Sequence, residues 1–95
     1  MSKIADFRRE IKYNSLVFEL LAARDVPYLV YHHSGGRTIE AHTPISGLSI
    51  LISTQPLPQD KVLVIVKPTG MKGMTEEIPE ILLKQKLLKY IGKLL

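Results

Sequence analysis

The chain contains no cysteine and no tryptophan, only two phenylalanines, and a single asparagine among 95 residues. Without cysteine it can form neither disulfides nor thiolate metal sites, which suits a reducing compartment. No apolar run approaches the roughly 20 residues of a membrane helix. The N-terminus mixes Asp6, Arg8, Arg9 and Glu10 with its apolar residues, unlike a secretory leader, so we expect a cytoplasmic protein without membrane partners. One asparagine and three glutamines are also in keeping with a thermophile source.

What is present is enough for a core. The apolar fraction is 45% and the length fits one domain, residues 1–95. A domain this small buries well under three-quarters of its unfolded surface, so self-association would add useful stability. The net charge of +4 permits a polyanionic partner without demanding one.

The organising stretch is Val62-Leu63-Val64-Ile65-Val66, held between Lys61 and Lys67 and closed by Pro68. It is short and mostly β-branched, which favours a strand over a helix. Both of its alternating sets are apolar, so both faces want cover and it should be the most buried strand.

Ahead of it, residues 3–24 read as one helix. Ile4, Phe7, Ile11, Phe18 and Ala22 form a stripe at helical spacing. The second half, with Leu16, Val17, Leu20 and Leu21, is apolar nearly all round. Val26-Pro27 ends the helix. Strands follow at 28–33 and 37–43, joined by Ser34-Gly35-Gly36. With Gly35 and Gly36 as the two loop residues, Ser34 faces Arg37 and His33 faces Thr38. One face then carries Tyr28, Val30, His32, Ile39 and Ala41. The other carries Leu29, Tyr31, His33, Thr38, Glu40 and His42. After the turn Pro44-Ile45-Ser46-Gly47, a third strand spans 48–53. Residues 54–60, with Pro56 and Pro58, read as an extended loop too short for a helical crossover, so the fourth strand, 61–67, runs antiparallel to the third.

The glycine-rich segment Thr69–Met74 reads as a connector into a C-terminal helix. Thr75 is placed as its N-cap, and Glu76 and Glu77 in its first turn, with a start at Ile78 or Pro79 as the alternative because proline fits only the first turn. The expected fold is α+β and two-layered: a four-stranded antiparallel meander with one helix at each end.

Five features carry the candidate readings. Tyr31, His33, Glu40 and His42 form a polar patch on one hairpin face. Its spacing matches no zinc signature, so neither a metal nor a cofactor is assigned. The double histidine His32-His33 before a glycine turn resembles small ribonuclease toxins. Those carry glycine-serine ahead of the histidine, where Val30-Tyr31 stand here, and have three strands where four are expected here, so the family is not assigned. Lys86, Lys89 and Lys93 share one helix face and are candidates for phosphate contact. Lys67-Pro68-Thr69-Gly70-Met71-Lys72-Gly73 places glycines and lysines before the expected helix but lacks Walker spacing.

The fifth feature is the C-terminal helix itself. Leu83, Leu87, Tyr90 and Leu94 cluster on one side, with Ile81, Leu88 and Leu95 alongside. This arc exceeds the stripe a helix needs against one sheet, so these residues are the expected homodimer interface. The leading functional reading is a non-enzymatic protein-interaction or homo-oligomerisation module. A DNA- or RNA-binding protein comes second, and a small hydrolase or ribonuclease using the hairpin histidines third.

Overall fold

The computed structural model describes residues 3–34, 36–44 and 47–94. Helix α1 (Lys3–Ala23) leads into strands β1 (Tyr28–His33), β2 (Gly36–His42), β3 (Ser49–Leu57), β4 (Lys61–Pro68) and β5 (Met74–Pro79). A 3-10 turn at Glu80–Leu82 then opens into helix α2 (Leu83–Leu94). The strands form one antiparallel meander in sequence order. No helix among the described residues is long and apolar enough to cross a membrane.

The α+β class and the two helices are as expected, but the sheet has a fifth strand. Thr75 is not an N-cap, and Glu76 and Glu77 are not in a helix. All three lie in β5, paired with Ile65, Val64 and Leu63. The long-range ladder to β4 overrides the local preference for a helix start. Pro79 then closes β5 and α2 begins only at Leu83.

Alternation along the strands builds the core. Ile39, Ala41, Ile50, Ile52, Val62, Val64, Val66 and Ile78 point to one side and are buried. Tyr13, Val17, Leu20 and Leu21 of α1 and Leu83, Leu87, Tyr90 and Ile91 of α2 meet them in one cluster. Both helices therefore cover the same side of the sheet. Leu51, Leu63 and Ile65 point to the other side and stay partly exposed. The expectation of cover on both faces of β4 is met on one face only.

In α1 the core stripe is not the expected one. At 100° per residue, the buried set Tyr13, Val17 and Leu21 is centred about 100° round the helix from Phe7 and Ile11. Phe7, Ile11 and Ala22 are exposed, and Phe18 is partly covered by stacking on the Tyr28 ring at 5.1 Å. The helix ends in a Schellman motif, in which Val26 N–H donates to the Leu21 carbonyl and Asp25 takes a left-handed φ of 54°. Near the other end of the chain, Gly92 lets the Arg24 guanidinium approach to 3.3 Å from where a Cβ would stand.

The hairpin loop is moved by one residue. His33 pairs with Gly36, His32 with Arg37 and Tyr31 with Thr38, so the two loop positions are 34 and 35 rather than 35 and 36. Each β1 residue thereby meets a β2 partner two positions away from the expected one. An even shift leaves every residue on its face, so the two face sets stand. Strand β3 runs on to Leu57, making the loop to β4 only Pro58–Asp60, with Gln59 and Asp60 both at positive φ. Pro56 is tolerated because β3 there has outrun β2, whose last partner is Thr38 opposite Ser53. Gly35 and, in the second turn, Ile45 and Ser46 lie outside the described residues, as do the side chains of Ile4, Lys93 and Leu94 and the whole of Leu95.

Candidate functional site

The hairpin patch forms on the uncovered side of the sheet, around Glu40. Tyr31 donates its hydroxyl proton to Glu40 Oε1 at 3.0 Å. Ser49 Oγ donates to Oε2 at 3.3 Å, and His42 Nε2 lies 3.6 Å from Oε1. The Ser49 and Thr69 hydroxyls are 2.9 Å apart, and Thr69 also donates to the Ser49 carbonyl. The bond to Glu40 pushes the Tyr31 phenol above its ordinary range. Three of the four expected patch residues are thus together.

His33 is not among them. Its Nε2 meets Thr38 Oγ1 at 2.8 Å, and Thr38 continues to Ser53. Thr38 and His42 are four residues apart on one strand, about 13 Å at the rise of a strand. The two histidines therefore cannot share one ion. Among the described residues no three His, Asp or Glu side chains converge as metal ligands. Nor does the patch assemble a nucleophile: Ser49 and His42 both address Glu40, whereas serine activation needs the histidine on the hydroxyl.

His32 lies on the helix side of the hairpin, beside Phe7 and Glu10 in a shallow cleft. The Glu10 carboxylate closes over Gly36, where a Cβ would meet Oε1 at 3.1 Å. The glycine-rich segment leads into β5, so its glycines and lysines face no helix N-terminus. On α2, Lys86 is drawn 3.2 Å from Glu76, and Lys89 also acts on that carboxylate. The basic face is thereby partly neutralised.

Leu83, Leu87 and Tyr90 belong to the chain's own core. Among the described residues, the apolar surface left outside at this end of the chain is Ile81, 90% exposed, and Leu82 of the 3-10 turn, with Leu88 of α2.

Two features lie outside the sequence reading. The first is a polar cluster where α1 crosses the β3–β4 hairpin. Arg9 donates to the carbonyls of Leu57 (2.9 Å) and Lys61 (2.8 Å) and to the Tyr13 hydroxyl (2.9 Å). Tyr13 in turn donates to Glu80, which also takes the Lys12 ammonium at 2.7 Å. Burial, together with the bond to Glu80, pushes the Tyr13 phenol up to about 12. The bonds from Lys12 and Tyr13 hold Glu80 below the usual carboxylate range. The spacing Arg9, Tyr13, Val17 on the true core side of α1 was the available signal.

The second feature is β1 itself. Five of its six residues are exposed, including Tyr28 (37%), Leu29 (51%) and Tyr31 (47%). It is an edge strand whose main cover is the Phe18 ring stacked on Tyr28.

Comparison of the chain with protein-family models, with curated proteins and with solved structures gives no match.

Proposed function

We propose that the protein is a non-enzymatic interaction module that acts by self-association, as a homodimer or larger assembly in a reducing, cytoplasmic setting. The observation that carries this reading is the bare margin of the sheet at β1, where Tyr28, Leu29 and Tyr31 stand in solvent. Phe7 and Ile11 add exposed apolar surface on the neighbouring flank of α1. Soluble monomers seldom keep such a margin without a partner. The interface drawn from Leu83, Leu87, Tyr90 and Leu94 moves accordingly to the sheet, because the first three are occupied within the chain.

Charge favours a second copy over a polyanion. The uncovered sheet face carries Glu40 and Glu77 against Lys61 and Lys67, a balance that gives a phosphate backbone nothing to hold. The deciding measurement is light scattering on a sizing column across micromolar concentrations. The reading expects a mass rising toward twice 10.7 kDa. A constant monomer would overturn it. Steeply salt-dependent retention on random duplex DNA or RNA would redirect the assignment to nucleic acid.

A further inference from the structure

We infer that the second copy docks on β1 itself, edge to edge and antiparallel, about a two-fold axis through Val30, so that two five-stranded sheets join into one of ten strands. This rests on the self-association reading and specifies its partner surface.

The backbone selects the register. His42 N–H donates to the Pro27 carbonyl at 2.9 Å, which makes residues 27 and 42 a hydrogen-bonded pair one step beyond Tyr28 and Ala41. Hydrogen-bonded pairs alternate along an antiparallel ladder. Leu29, Tyr31 and His33 therefore turn their backbone groups toward β2. Tyr28, Val30 and His32 turn theirs to the open edge. That outward set is symmetric about Val30. An antiparallel copy centred there pairs Tyr28 with the partner's His32, Val30 with the partner's Val30, and His32 with the partner's Tyr28. All three outward N–H groups and all three carbonyls of each copy are then satisfied. Moving the register two residues either way leaves some of them unpaired, and moving it by one puts core faces against solvent faces.

Side chains agree with this register. On the helix side, Val30 meets Val30 and each Tyr28 meets a His32. On the uncovered side, Leu29 meets Tyr31 in the closer, non-hydrogen-bonded pairs, where an aromatic beside an aliphatic is favourable. No acid, lysine, arginine or proline occurs anywhere in β1, so a copy opposes no fixed charge of like sign and loses no bond to an imide nitrogen. Both copies keep their helices on one side of the joined sheet. A two-fold join of this kind is closed and buries a modest area, so association is expected to depend on concentration.

The test uses the absence of cysteine from the chain. Val30→Cys introduces a single thiol that the axis sets opposite itself, at a Cα separation of about 5.5 Å, within the span a disulfide bridges. Under mild oxidation it should form a covalent dimer roughly tenfold or more faster than Glu77→Cys on the opposite edge. Val30→Pro removes an N–H that serves no bond within the chain. It should stay folded by circular dichroism and bind its copy roughly tenfold to a hundredfold more weakly, for the two hydrogen bonds lost at the axis. If the unaltered chain dimerises while Val30→Cys cross-links no faster than the control, the edge assignment is overturned and self-association by another surface stands. A folded Val30→Pro variant with undiminished affinity overturns it equally. If the unaltered chain stays monomeric at every concentration, both readings fall. Should Val30→Pro fail to fold, the cross-linking rates decide alone.

Discussion

The two margins of the sheet are built to opposite rules. At β5, Glu76 and Glu77 stand in the strand and Pro79 ends it. The strand is also tied down: Tyr90 donates to Glu76, Lys86 lies 3.2 Å from the same carboxylate, and Lys61 lies 3.5 Å from Glu77. Glu80, just beyond it, is locked to Arg9, Lys12 and Tyr13. Acids and a proline are the usual guards against unwanted strand addition. β1 has none of them; α1 stacks Phe18 on Tyr28 at one end of it and sets Phe7 and Glu10 beside His32 at the other. A chain that guards one edge and leaves the other bare limits how copies can add. A join at β1 closes on itself and exposes only guarded edges.

The largest effect should come from removing the anchor at the β5 side. Arg9 is largely buried and serves two hairpin carbonyls, Tyr13 and Glu80. Arg9→Ala would strand those acceptors, and we expect a loss of about 3 kcal/mol in denaturant unfolding. Amide exchange should quicken in β4 and β5 and stay unchanged in β1. A loss below about 1 kcal/mol would show that the guarded edge stands without this cluster.

Next in size is a pH dependence centred on the anchored side, to which the raised phenol of Tyr31 in β1 adds in the same alkaline direction. Burial raises Tyr13 and Tyr90 to about 12, with Glu80 and Glu76 adding to the shift. The folded state therefore holds these protons more tightly than the unfolded chain, so the stability they contribute is present below pH ~10 and is lost as pH rises toward 12. Glu76 and Glu80 are lowered, chiefly by bonds from Tyr90 and from Lys12 respectively. Their contribution is present above the ordinary carboxylate range, near pH ~4.3, and is lost as pH falls through their lower folded values. Unfolding curves should be flat between those limits and decline on both sides. The alkaline decline should shrink in Tyr13→Phe together with Tyr90→Phe; an unchanged decline would place its origin elsewhere.

A guard moved to the bare margin should have a smaller effect on the fold and a clear one on association. Val30→Lys sets two ammonium groups opposite each other at the proposed axis, where like charges repel. We expect about 1 kcal/mol of lost stability and roughly tenfold weaker self-association in low salt, partly restored by added salt. Association unaffected by the lysine would argue against an interface at this strand.

The two margins also mark what was legible in the sequence. Strand positions β1 to β4 and the span of α1 follow from patterns that are local: β-branched runs, glycine turns and the stop at Val26-Pro27. The face sets survived a wrong register because the hairpin slip was even. β5 was hidden because Thr75-Glu76-Glu77 is chemically a good helix start, and only pairing with β4 decides otherwise. A signal was nevertheless present. A strand apolar on both alternating sets belongs inside a sheet, yet a four-stranded meander would have left β4 at the edge. The α1 stripe failed for a related reason: Phe7, Ile11 and Phe18 have the right spacing but lie on the flank beside β1, while Tyr13 and buried Asn14 face inward. Of the polar patch, Tyr31, Glu40 and His42 were readable from strand alternation alone. Its link to Ser49 and Thr69 required the β2–β3 register.

The smallest effect on stability should come from unguarding β5, and it probes the comparison from the other side. Glu77 is exposed and, among the described residues, pairs only with the exposed Lys61 ammonium. Such a pair contributes about 0.5 kcal/mol or less, so Glu77→Val should leave unfolding nearly unchanged. Its ladder partner is Leu63 on the uncovered face, so the new valine extends the apolar row of Leu63 to the edge. A dimer joined at β1 carries two β5 margins facing outward. With Glu77 in place, a second addition there would set carboxylates against carboxylates across the seam. With valine, that repulsion is reduced to Glu76, and head-to-head addition at β5 can alternate with the β1 join. Alternating joins do not close, so they propagate. Light scattering of Glu77→Val at rising concentration should then show species beyond the dimer, and adding Val30→Pro should stop growth at a pair joined through β5. If Glu77→Val stops at the same size as the unaltered chain, Pro79 and Glu76 are guard enough.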